Sequence, residues 1–141
     1  MILELMAGVL LAIGFVLLAR RFGRRNEMFM YALGLVIAAI IYVGFALVGA
    51  ADSRWLAIEV AGLLPYAGFA WLGIRSPWWL AVGWLAHGAW DTGLHLVAGT
   101  PAFVPGWYPV VCMGFDFLVA GVIARQLWMQ RTAELDRPLV R

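Results

Sequence analysis

Residues 2–25 read ILELMAGVLLAIGFVLLARRFGRR, an apolar run closed by four arginines. No basic residue precedes the run, and Glu4 is its one acid. A cleavable signal sequence carries its positive charge ahead of the apolar core. This order is the reverse, so the run reads as a retained span that enters the membrane with its N-terminus outside.

The rest of the chain agrees with that start. Of 141 residues, 65% are hydrophobic and 13% charged, and mean hydropathy is +0.90. A soluble domain is nearer half apolar and a quarter charged. The composition therefore indicates an all-α integral membrane protein. Its length suits one bundle, a single domain over residues 1–141. A helix needs about 18–25 apolar residues to cross the hydrocarbon. Five such stretches occur, at about 2–19, 28–50, 55–74, 77–99 and 108–129, with a polar cytoplasmic tail expected to fray over 130–141. Pro77 and Pro109 fall where a helix can start. Pro65 lies inside the third stretch and is expected to kink it.

All ten cationic residues are arginine. With the N-terminus outside, nine of them fall on the cytoplasmic side and Arg54 alone on the other. That asymmetry supports an odd number of spans and placement in the cytoplasmic (plasma) membrane. Basic loops flanking spans are accounted for in this way, so no nucleic-acid partner is expected. The formal charge is only +2, and a single cysteine allows no intrachain disulfide. Trp55 and Trp107 are expected at the outer interface, and Trp78, Trp79 and Trp128 at the inner one.

Titratable residues within lipid are costly and usually face a bundle interior. Residues 87–95, HGAWDTGLH, put His87, Asp91 and His95 four apart on one helix. Four residues turn a helix by about 400°, so the three form one stripe, with neighbours about 6 Å apart along the axis. Counted from the span ends at about 1.5 Å per residue, Glu59 and His95 lie about 6 Å deep and Asp91 and Asp116 about 12 Å. His87 sits near the midplane and is the most distant member. Glu4 lies close to the outer surface.

Three helices thus bring acids and imidazoles to one layer of the outer leaflet. His95, Asp91, Asp116, Glu59 and His87 are the candidate metal ligands, with Asp91, His87 and Asp116 also candidates for the chemistry. Trp90, Tyr108 and Cys112 are candidates for lining a substrate pocket. Plain structural roles compete with these. His87 could be a packing histidine, Glu59 could pair with Arg54, and Cys112 could be a small buried apolar residue.

The pattern HxxxD with a further histidine resembles, over about nine residues, the His-x-x-x-Glu helix of membrane sterol isomerases, with aspartate in place of glutamate. Mixed imidazole and carboxylate ligands suit Zn²⁺, Mn²⁺ or Fe²⁺. The first reading is accordingly a metal-dependent membrane enzyme acting on a lipid-like, hydrophobic substrate. The second is a metal-free isomerase or cyclase, with Asp91 as the acid and His95 or Asp116 as its partner. A proton- or cation-coupled transporter, or an accessory subunit working as an oligomer, uses the same residues. Small residues at Ala81, Gly83, Ala86, Gly88, Ala89 and Gly93, and at Gly114, Gly121 and Ala124, let helices approach closely in lipid. They fit either the internal bundle or a homodimer contact. Membrane lipids are the remaining expected partners.

Overall fold

The computed structural model describes residues 1–99 and 101–135. Arg137 and Arg141, expected in the tail, lie outside the described residues. Those residues are helical apart from short connections: α1 (Ile2–Arg21), α2 (Arg24–Val48), α3 (Ser53–Arg75), α4 (Trp78–Trp90), a π-helical continuation of α4 (Asp91–Val97), and α5 (Tyr108–Leu135).

Local signals explain these limits. Gly23 joins α1 to α2 with φ +80°, a left-handed conformation that glycine adopts without steric cost. Asp52 caps α3 by accepting a hydrogen bond from the Trp55 amide at 2.9 Å, satisfying a donor that the first turn leaves without a partner. Pro77 is the N-cap of α4, and Pro109 lies in the first turn of α5, where no intrahelical N–H partner is required.

Four helices, α1, α2, α3 and α5, are long and apolar enough to cross a membrane. The segment expected over 77–99 is divided at Trp90 instead, into a 13-residue α-helix and a 7-residue π-helix. Other boundaries also move. The second helix begins at Arg24, which brings the polar RRNE stretch inside the helix. The fifth continues through Leu135, so residues 130–135 are helical where fraying was expected. Pro65 lies inside α3 without ending it.

Consecutive helices alternate in direction. At one end, Arg24 Nη2 at the start of α2 donates to Gln130 Oε1 near the end of α5 at 2.7 Å. At the other, the Trp55 ring meets Phe103 edge-on at 5.8 Å. The Phe103 side chain also covers Gly49, which follows α2. The arginines of the α1–α2 junction and of late α5 thus share one end. The connection between α4 and α5 lies at the other.

The core sits where α1, α2, α4 and α5 converge, around Ala12, Tyr31, Leu35, Leu80, Trp84, Val119 and Ile123. Small residues set the spacing. A Cβ on Gly8 would stand 2.0 Å from the Val111 carbonyl oxygen, so only glycine permits the α1–α5 approach. A Cβ on Gly88 would stand 2.8 Å from the Phe117 ring and 3.1 Å from Asp116 Cβ. Gly88 is therefore what lets α5 bring Asp116 against α4. Gly93 and Gly121, by contrast, face open space.

Candidate metal centre

Four elements converge on a buried polar group in an otherwise apolar bundle. His87 comes from α4, Asp91 and His95 from its π-helical continuation, Glu59 from α3 and Asp116 from α5. All five are at most 4% exposed. The layer expected from the sequence is therefore present, but it is divided into two parts.

The inner part is His87, Asp91 and Asp116. One ligand atom from each lies within 4.8 Å of the others. His87 Nδ1 is 2.8 Å from Asp116 Oδ2, in hydrogen-bond contact, and 3.7 Å from Asp91 Oδ2, beyond it. Neither oxygen of Asp91 makes a hydrogen bond among the described residues. The Tyr42 hydroxyl and the Cys112 thiol are its neighbouring donors, and neither reaches bonding geometry. The depth count placed His87 as the most distant member, whereas it is the centre of this group. Counting from helix ends ignores the offset between helices, and the α4–α5 approach at Gly88 brings His87 and Asp116 together.

The outer part is Glu59 and His95. Glu59 Oε1 lies 3.5 Å from His95 Nε2. Arg54 is exposed and forms no ion pair with Glu59. Tyr42 of α2 stacks on the His95 ring, with centroids 4.4 Å apart and planes 7° apart. Tyr66 of α3 meets His87 edge-on at 4.9 Å. Between the two parts lies a cavity of about 10 Å³ for the centre of a water molecule, bordered by Glu59, His87, Tyr42, Tyr66 and Trp90. That is space for about one water.

The π-helical turn carries much of this arrangement. The Ala98 amide bonds to the Gly93 carbonyl five residues back at 3.1 Å. At the junction, the Thr92 hydroxyl donates to the Gly88 carbonyl at 2.7 Å, occupying a backbone acceptor as the turn widens. Such turns are uncommon and occur frequently at functional sites.

The three expected pocket residues do not share one pocket. Trp90 lies against Gly62 of α3 and borders the small cavity. Tyr108 and Cys112 face the opposite side, on a cleft of about 320 Å³ between α1, α2 and α5 that extends to Asp116. Glu4 is apart from all of this and pairs with the amino group of Met1.

Several polar residues escaped the sequence reading. Tyr42 and Tyr66 were not distinguished from packing aromatics, although a tyrosine far from a helix end needs a partner for its hydroxyl. Glu27 was read as part of a loop. It is 6% exposed, accepts from the Tyr31 hydroxyl at 2.9 Å and the Gln126 amide at 3.0 Å, and lies 3.6 Å from Arg20 Nε. The four-residue spacing of Glu27 and Tyr31 was the available signal.

No curated protein and no solved structure gives a significant match to this chain. One family model does match, over residues 3–130. The chain belongs to the Family of unknown function (DUF6010).

Proposed function

We propose that this protein is a multi-pass membrane enzyme that binds one divalent transition metal at His87, Asp91 and Asp116 and acts on a hydrophobic substrate. The observation that carries this reading is the state of Asp91: a fully buried carboxylate with neither oxygen hydrogen-bonded, 3.7 Å from an imidazole nitrogen. A buried charge is expensive unless it is paired or coordinates a metal. Two carboxylates and one imidazole also leave the group with an excess of negative charge, which a divalent cation offsets.

The donor set fits. One imidazole nitrogen and two carboxylates suit Zn²⁺, Mn²⁺ or Fe²⁺. Ligand atoms about 2.0–2.2 Å from a tetrahedral ion stand about 3.3–3.6 Å apart, close to the 3.7 Å between His87 and Asp91. Asp116 Oδ2, at 2.8 Å from the same nitrogen, would have to draw back by about half an ångström to share the ion. When bound, such an ion acts as a Lewis acid on a substrate oxygen. The chain's own residues supply the surroundings. Trp84 and Tyr66 hold the His87 ring edge-on. In the absence of an ion, Asp116 fixes its Nδ1. Glu59 and His87 border a water-sized space through which the two can exchange a proton.

In this reading all five apolar segments cross the plasma membrane, with the arginine end cytoplasmic and the site in the outer half. A metal-free acid–base enzyme is the second reading. The 2.8 Å His87–Asp116 contact favours it, because that dyad is complete without an ion.

Elemental analysis of detergent-purified protein separates the two. The metal reading expects about one transition-metal ion per chain, lost in Asp91→Asn and in His87→Ala. A metal-free wild type, with its enzymatic activity unaffected by chelators, would leave the acid–base reading standing. A reporter fused in the 101–107 connection should be external.

A further inference from the structure

The cleft between α1, α2 and α5 extends to the candidate centre at Asp116. Leu11 and Phe15 of α1, Ile37 and Ile41 of α2, and Val111 and Phe115 of α5 form its walls. At 59% and 47% exposure, Leu11 and Ile37 stand on the outer face of the bundle, so the cleft opens sideways, toward lipid in a membrane. Its volume of about 320 Å³ lies in the range of small-molecule sites. Its polar groups are few and lie on one helix: Tyr108, Cys112 and Asp116.

Charge selects among the molecules that could fill it. Among the described residues no arginine borders the cleft. Asp116 is buried beside the second carboxylate, Asp91. With a divalent ion at the centre the two carboxylates are neutralised, so a charged head of either sign would leave water for a cleft in which no described side chain offers it a counter-charge. An uncharged head able to donate a hydrogen bond remains. Asp116 gives Oδ2 to His87 or to the ion, leaving Oδ1 as an acceptor, and the Tyr108 hydroxyl can donate or accept.

We infer that the cleft between α1, α2 and α5 binds one uncharged amphiphile, an apolar chain or ring system ending in a hydroxyl group, with the hydroxyl directed to Asp116. This inference rests on the metal reading for its preference over amines, and it names the substrate class of that enzyme.

Three photoreactive probes with the same diazirine-bearing alkyl chain, ending in a hydroxyl, a carboxylate or an ammonium group, test it. Each is added to purified wild-type protein in nanodiscs of uncharged lipid, and labelled peptides are mapped by mass spectrometry. The alcohol should label the 108–116 and 34–41 segments at least tenfold more than either charged probe. Ala38→Phe, which fills the cleft from α2, should lower that labelling at least tenfold. Val82→Phe, on the groove between α4 and α5, should leave it unchanged. If Ala38→Phe does not fold, Ile41→Trp carries the same test. Equal labelling by all three probes would identify ordinary lipid contact and overturn the inference, as would preference for the ammonium probe or labelling indifferent to both cleft variants. Metal content measured on the same samples keeps the two proposals distinct. Metal present without selective labelling defeats this inference alone, and selective alcohol labelling of a metal-free protein defeats the metal reading alone.

Discussion

Two of the buried carboxylates of this bundle stand in opposite circumstances. Glu27, at the arginine end, accepts from Tyr31 and Gln126 and has Arg20 alongside. Asp91, in the middle, accepts from nothing among the described residues. Both are nearly inaccessible, at 6% and 0% exposure. The first ties α1, α2 and α5 together, and its requirements are met within the chain. The second lies 3.7 Å from His87 of the preceding helical turn, and neither of its oxygens is hydrogen-bonded among the described residues. A satisfied buried acid accounts for itself as architecture, whereas an unsatisfied one points to something outside the chain.

The contrast can be broken most forcefully at Glu27. Glu27→Ala leaves the Tyr31 hydroxyl, the Gln126 amide and Arg20 without their acceptor. Removing one partner from a buried polar network costs about 2–5 kcal/mol. Chemical denaturation in mild detergent should show a loss of that order, with metal content per folded chain unchanged. A neutral result would mean that water replaces the carboxylate and that the arginine-end cluster is not structural.

Gly88→Val attacks the juxtaposition that creates the centre. The added side chain meets Phe117 and Asp116, at 2.8 and 3.1 Å from its Cβ. Overpacking of this kind costs about 1–3 kcal/mol. By displacing Asp116 from His87 it should also weaken metal binding, read by competition with a chromogenic chelator. Full stability with full metal affinity would show that α4 and α5 can separate without consequence.

Asp91→Asn should reverse the sign seen at Glu27. Replacing a buried carboxylate that lacks a hydrogen bond with a neutral amide relieves a desolvation cost. The metal-free protein should therefore be as stable as wild type or more so, by up to about 1–2 kcal/mol, while losing its metal. A destabilised Asp91→Asn would place Asp91 beside Glu27 as architecture. The smallest effect is expected at Thr92→Val, which removes the hydroxyl bond to the Gly88 carbonyl and should cost about 0.5–1.5 kcal/mol in thermal unfolding.

Much of this was legible in the sequence. Hydropathy marked the four helices that are long and apolar enough to cross a membrane, α1, α2, α3 and α5, whereas the stretch expected over 77–99 is divided at Trp90. The stripe His87–Asp91–His95 and its convergence with Glu59 and Asp116 followed from helical spacing. What escaped depends on inter-helix geometry. The partnership of His87 with Asp116 depends on how closely α4 and α5 approach at Gly88, and helix offset is not written in either strand of sequence. The π-helical turn at Asp91 was hidden for a similar reason, since residues DTGLH satisfy an ordinary helical pattern. Glu27 was missed because its neighbours Arg24 and Arg25 made the stretch look like a loop.

The central claim is that the middle acid cluster is completed by a divalent ion and the arginine-end cluster is not. A ligand that binds only the folded state stabilises it by about 2.7 kcal/mol at a hundredfold excess over its Kd. The direct measurement is the melting temperature of chelator-stripped protein in detergent, with and without added Zn²⁺ or Mn²⁺, for wild type, Asp91→Asn and Glu27→Gln. The account predicts that the ion raises the melting temperature of wild type and of Glu27→Gln by several degrees and leaves Asp91→Asn unmoved. Ion-independent melting in all three, or a shift that persists in Asp91→Asn, would contradict it.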